Sequence, residues 1–153
     1  MAFPSDTLTQ SFVTELLEGG HDFQVAGHVF NIALYDDTTT MTAATATYPG
    51  AGVNGELAAA GNYTQGGQAL TNVAPVWSST GGTAAIIDFD PDEIFANATF
   101  SAMGALIYNT NGAANTTVCL LDFVTLQTAT AGDFTIQFPV ANAATAIIRI
   151  ALP

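Results

Sequence analysis

Residues 100–123, FSAMGALIYNTNGAANTTVCLLDF, constrain the fold more than any other stretch: two apolar runs flank a turn rich in Gly and Asn. Residues 101–108 and 117–123 have strand length, and Asn109-Thr110-Asn111-Gly112 tolerates positive φ, so the segment reads as a β-hairpin. Both arms are apolar almost continuously rather than alternately. Strands covered on two faces have this pattern, which puts the hairpin at the centre of a sheet with the rest packed around it.

The flanking segments supply the other layers. Residues 5–18 read as a helix: Leu8, Phe12 and Leu16 recur at helical spacing beside Val13 and Leu17, Thr7 with Gln10 fits a capping box, and Gly19-Gly20 ends it. Such a helix either covers an open end of the core or lies as an arm on a neighbouring subunit. Residues 25–35 read as the first strand, broken by Asp36-Asp37. From 38 to 68 large apolar residues are scarce and glycines frequent, so apart from a short helical turn at 41–46 this is a long loop, the kind that function or a partner orders. Contact with other subunits is expected there.

Residues 69–77 and 84–89 form a strand pair in which Pro75 marks an edge or a bulge; 94–95 make a very short strand, 133–138 an alternating one and 145–152 the last. Seven or eight short strands at this spacing predict an all-β fold, an antiparallel β-sandwich of jelly-roll or Ig-like type with a short N-terminal helix. The 153 residues fit a single domain, with 1–20 as helix or arm and 21–153 as the sandwich carrying the long loop 38–68.

Charge narrows the partners. Thirteen acids stand against one base, Arg149, for a net charge of −12. Nucleic acid and anionic membranes are recognised through clustered Lys and Arg, so neither is an expected partner. No window approaches the ~20 apolar residues that cross a bilayer, and the first residues have neither the basic nor the apolar part of a secretory signal, so a soluble chain without an export signal is expected.

Catalytic chemistry finds few candidates. His21 and His28 flank the start of a strand without a neighbouring Ser or Cys motif, and read as a surface residue and a strand-packed residue. Cys119, the only cysteine, sits in an apolar run and reads as core. The acidic run 88–93 (DFDPDE) lacks the glycine and the downstream glutamate of a calcium loop and reads as a solvated turn. No catalytic, metal-binding or cofactor-binding residue is assigned, and no cofactor is expected. Arg149, alone in an apolar strand, either points to solvent or pairs with a carboxylate of its own or a neighbouring subunit. Subunit-contact candidates are Tyr48, Leu57 and Tyr63, the large side chains of the long loop, with Leu8 and Phe12 of the helix and Arg149. For the loop residues the alternative is packing over their own sandwich.

In the C-terminal half, GALIYN (104–109), VCLLDF (118–123), TATAGDFTIQFP (128–139) and AIIRIAL (146–152) together resemble a group of small virion structural proteins of tailed bacteriophages. FNIALYDD (30–37), NGELAAAGNYTQGGQALTN (54–72) and DFDPDEIFANATFSA (88–102) look like the same group's first strand, Gly-rich loop and middle strands, so the resemblance spans roughly residues 28–153. It implies a non-enzymatic head decoration, or cement, protein. Made in the host cytoplasm, such a protein sits on the capsid exterior, commonly as a homotrimer, and clamps neighbouring major capsid protein subunits. A tail-fibre, spike or minor tail protein that recognises host glycans is the alternative.

Overall fold

The computed structural model describes residues 4–112 and 114–152. Among these residues eight strands and one helix follow in the order β1 (Thr7–Leu8), α1 (Gln10–Leu17), β2 (Phe30–Tyr35), β3 (Gln68–Ala69), β4 (Asn72–Ser78), β5 (Ala84–Phe89), β6 (Glu93–Asn109), β7 (Thr117–Ile136) and β8 (Ile148–Ala151). They form two antiparallel sheets, a five-stranded one in the order β1-β7-β6-β2-β3 and a three-stranded one in the order β4-β5-β8. The chain is therefore an all-β sandwich with one short helix.

The 100–123 stretch is a hairpin, and its continuous apolarity has the expected cause. Along β6 and its neighbours, alternate side chains enter two different apolar layers. Ile32, Ile107 and Cys119 stand opposite one another in register and point into the main core, which Phe89, Ile87 and Ile148 of the small sheet close from the other side. Ala33, Leu106 and Leu120 form the next row and point the opposite way, into a second cluster with Tyr35, Tyr108 and Met41. Segment 38–68 covers that second face, so the central strands are buried on both.

The hairpin is far longer than its apolar runs. β7 runs for 20 residues through the Thr-rich segment, absorbing the separate strand expected at 133–138, and β6 for 17, absorbing the short one at 94–95. Thr residues keep the extended backbone there, while Val124 (φ 65°) and Ala131 (φ 48°), with several register shifts against β6, mark bulges that bend the ladder. Strand β2 starts at Phe30 rather than near residue 25, because 24–27 form a turn closed by Gly27 N–H donating to Gln24 O. At 41–46 there is a turn, Thr45 N–H to Thr42 O, and no helix.

The helix is shorter than its pattern. Thr9 occupies its N-cap, and Thr7 and Leu8 instead pair with Leu120 and Cys119 as β1. The Thr7–Gln10 capping box does not form because Thr7 lies in β1, and Thr9 Oγ1 at the N-cap donates to the Thr117 carbonyl at 3.0 Å, which ties the helix start to β7 rather than to its own first turn. Phe12 is fully buried in the main core with Leu16 against it, while Leu17 is 87% exposed. α1 thus covers its own subunit.

The long loop also closes sheet edges. Leu57 N–H donates to Leu34 O and Leu70 N–H to Phe30 O along the outer side of β2, and Asn62 N–H donates to Ala96 O along β6. Gly67 sits so close to β2 that a Cβ would lie 1.9 Å from Ile32 O, at φ 74°. Only glycine fits. Gly67→Ala should therefore lower unfolding free energy by at least about 2 kcal/mol in urea titrations. Gly112→Ala, whose nearest neighbour would be Thr116 Oγ1 at 3.6 Å, should change it by less than about 0.5 kcal/mol.

Candidate functional site

Three features concentrate polar chemistry or unsatisfied surface. The first is built inside the loop around Glu56, which is 7% exposed. Its Oε2 accepts from Tyr48 Oη at 2.8 Å and Gly52 N–H at 2.6 Å; its Oε1 accepts from Tyr63 Oη at 3.1 Å and Gly66 N–H at 2.6 Å. Tyr108 Oη donates to Gly66 O at 2.6 Å and its ring stacks on Tyr48 with centroids 4.3 Å apart. Tyr35 completes the set of all four tyrosines, and its buried hydroxyl has no partner among the described residues. Burial first, and the Glu56 charge with it, pushes the phenols of Tyr35, Tyr48, Tyr63 and Tyr108 above the ordinary tyrosine value. The carboxylate has two donors on each oxygen already, so the cluster holds structure.

The second feature joins both histidines. His21 is buried rather than at the surface: Nε2–H donates to Glu15 Oε2 at 2.9 Å, and Nδ1 accepts from Asn109 Nδ2 at 3.0 Å. His28 is half-buried just before β2 and accepts on Nδ1 from the same Asn109 amide at 2.9 Å. No hydroxyl or thiol nucleophile is hydrogen-bonded to either ring among the described residues. Cys119 is buried, and burial pushes its thiol up to about 12. That removes it as a nucleophile at neutral pH.

The third feature is the outer edge of β7. Residues 117–122 are covered by 6–9: Thr9 N–H donates to Val118 O, and Asp6 accepts from Asp122 N–H. From Phe123 onward no strand pairs with that edge among the described residues. Residues 123–132 carry no charge, and Val124 (77%) and Leu126 (53%) are exposed. The same strand lines a groove of about 550 Å³, whose walls include Phe123, Gln127, Ala129, Asp133, Phe134 and Ile136. A long, uncharged, exposed edge of this kind is what soluble proteins usually suppress with charge or proline.

The contact candidates read from sequence separate accordingly. Tyr63 and Leu57 are buried in the main core and Tyr48 is partly buried against Tyr108, so all three pack over their own sandwich. The 38–68 segment offered little large apolar surface by composition, yet what it has points inward, because β2 and β6 need covering. Phe12 is core as well. Leu8, 37% exposed, lies on β1 beside a depression of about 400 Å³ whose walls include Asp6 and Arg149. Arg149 is exposed and donates to Ala144 O, with no carboxylate within ion-pair distance among the described residues. Asp88 is buried rather than in a solvated turn, with Oδ2 unpartnered, and its burial pushes its carboxyl above the usual range.

Composition and periodicity did not single out Glu56, Asn109 or the β7 edge. For Glu56 a signal existed: it is the only charged residue between Asp37 and Asp88. Comparison with protein-family models, curated proteins and solved structures returned no match.

Glu56→Gln sets an NH₂ against a backbone N–H in either orientation, and should cost roughly 2–3 kcal/mol in chemical denaturation with new protease cleavage within 48–66. The tyrosine shifts give a pH test. Phenols harder to ionise when folded stabilise fully below the unfolded value of about 10 and lose that contribution above it. An absorbance titration should show no tyrosinate near pH 10 in the folded protein, and ionisation should appear together with alkaline unfolding.

Proposed function

We propose that this chain is a non-enzymatic structural protein of a tailed-bacteriophage virion, a head decoration protein that binds the capsid exterior as a homotrimer and clamps neighbouring major capsid protein subunits. The resemblance of its strand-and-turn phrases to that group supplies the setting, and one observation carries the contact: the open edge of β7. An added strand there gains a ladder of backbone hydrogen bonds and buries Val124 and Leu126. With a net charge of −12, most approaches between copies bring carboxylates together, whereas 123–132 presents none. The edge therefore takes the contact role expected of the long loop, which serves its own sheet. Action is by burial of surface across a subunit seam, not by turnover.

Rebinding to stripped particles tests this. Leu126→Glu adds a charge at an exposed edge position and should lower occupancy at least about tenfold, with melting temperature unchanged. Image reconstruction of the particle should place density on the icosahedral shell. Unchanged occupancy removes the edge as the contact, and density confined to the tail tip replaces the head reading with a tail one.

A further inference from the structure

The histidine cluster is independent of the β7 edge and has an unusual hydrogen-bond arithmetic. Asn109 ends β6, and its side chain is oriented without ambiguity: Oδ1 accepts from Asn111 N–H at 2.9 Å, so Nδ2 faces the rings. The two protons of Nδ2 meet two acceptors, His21 Nδ1 at 3.0 Å and His28 Nδ1 at 2.9 Å, with Gly20 O a longer contact at 3.4 Å. His28 Nδ1 also accepts from Asp22 N–H at 3.4 Å. Both rings thus hold an unprotonated Nδ1 against a group that can only donate.

Around His21 the charged and titratable groups are few. From α1 comes the Glu15 carboxylate, and from the segment before β2 comes His28; β6 contributes the neutral Asn109. Phe12 lies 4.9 Å from the ring centroid, Phe23 6.1 Å and Phe30 6.2 Å, an apolar wall on the remaining sides.

We propose that Asn109, His21 and His28 form an acid-sensitive latch that fastens the end of α1 and the 20–28 segment to the central hairpin at neutral pH and releases them as either ring takes a proton on Nδ1. Protonation turns an acceptor into a donor facing the Asn109 NH₂, and a second proton adds a second cation within the same cluster. Burial holds His21 below the ordinary imidazole value, outweighing the pull of Glu15, and His28 adds to the depression. A ring harder to protonate when folded stabilises fully above the unfolded value of about 6.5, and that contribution is lost as pH falls through the lower folded value. Release uncovers Phe12 and Leu16, now packed on the main core. It makes the N-terminal segment, which borders the covered part of the β7 edge, the part of the molecule that answers to acid.

Hydrogen exchange of the full chain between pH 7.5 and 5, corrected for intrinsic rates, tests the latch. Protection of amides in 10–28 should fall at least about tenfold across that range while β2 and the 104–109 half of β6 stay protected. His21→Gln with His28→Gln, which retain a hydrogen-bonding group that does not titrate, should make protection in 10–28 independent of pH. Asn109→Asp keeps the acceptor for Asn111 but offers the rings a carboxylate, and should reverse the sign, giving better protection in acid. Protection in 10–28 that is flat in the parent protein overturns the proposal, as does a pH dependence that survives in the double His variant. Should Asn109→Asp fail to fold, the His variant decides alone.

Discussion

Glu56 takes a carboxylate out of water and surrounds it with two phenols and two backbone N–H groups, and the order of the longest irregular segment depends on it. Leaving an ionised group buried without such donors costs several kcal/mol, and charge-assisted hydrogen bonds offset that cost. The four donors come from Tyr48, Gly52, Tyr63 and Gly66, so the carboxylate draws together positions on both sides of itself in the loop. With the loop gathered, Leu57, Asn62, Gly67 and Leu70 can reach the edges of β2 and β6. Two sheet edges and one sheet face are closed by what a single side chain organises.

The same arrangement recurs across the molecule on a smaller scale. A chain with 13 acids and one base has almost no cations to pair with. Its carboxylates turn to backbone N–H groups instead. Asp22 accepts from Gln24, Asp36 from Thr38, Asp88 from Phe89, Asp92 from Phe138 and Asp122 from Val124. Asp6 accepts from Asp122, and Asp133 from Asn97 at longer range. These contacts bind turns and strand ends, where backbone donors lack partners, and they need no long flexible base to be ordered. The acidity is thus partly an internal hydrogen-bonding resource, beyond its effect on the surface field.

The hairpin was legible because its two runs are apolar on successive residues, and only strands buried on both faces require that. The sandwich class followed from strand spacing. What failed to show in the sequence has a common physical cause. The outer halves of β6 and β7 carry their extended backbone on Thr, Ala and Gln, whose burial alternates too weakly to resemble a strand. Tyr48, Leu57 and Tyr63 stood open between outward anchors and cover for their own sandwich, because a Gly-rich loop offers no periodicity from which to infer facing. Thr7 was lost as N-cap to a strand partner more than a hundred residues away, Leu120. His21 and Asn109 meet for the same reason. Spacing along the chain carries no trace of contacts at that separation, whereas the hub of Glu56 is local and its isolation in an uncharged stretch was there to be read.

Arg149 carries a last consequence. It lies on β8, opposite Ile86 in the ladder with β5, and its guanidinium closes the preceding turn at Ala144. Digestive and bacterial proteases that require a basic side chain before the scissile bond find one such bond in these 153 residues, Arg149–Ile150. That bond is held extended between residues that both pair with the small sheet, not in a loop that a protease cleft can take up. The scarcity of bases that shapes the interior hydrogen bonding thus also leaves the folded chain with almost nothing for trypsin-like enzymes to cut.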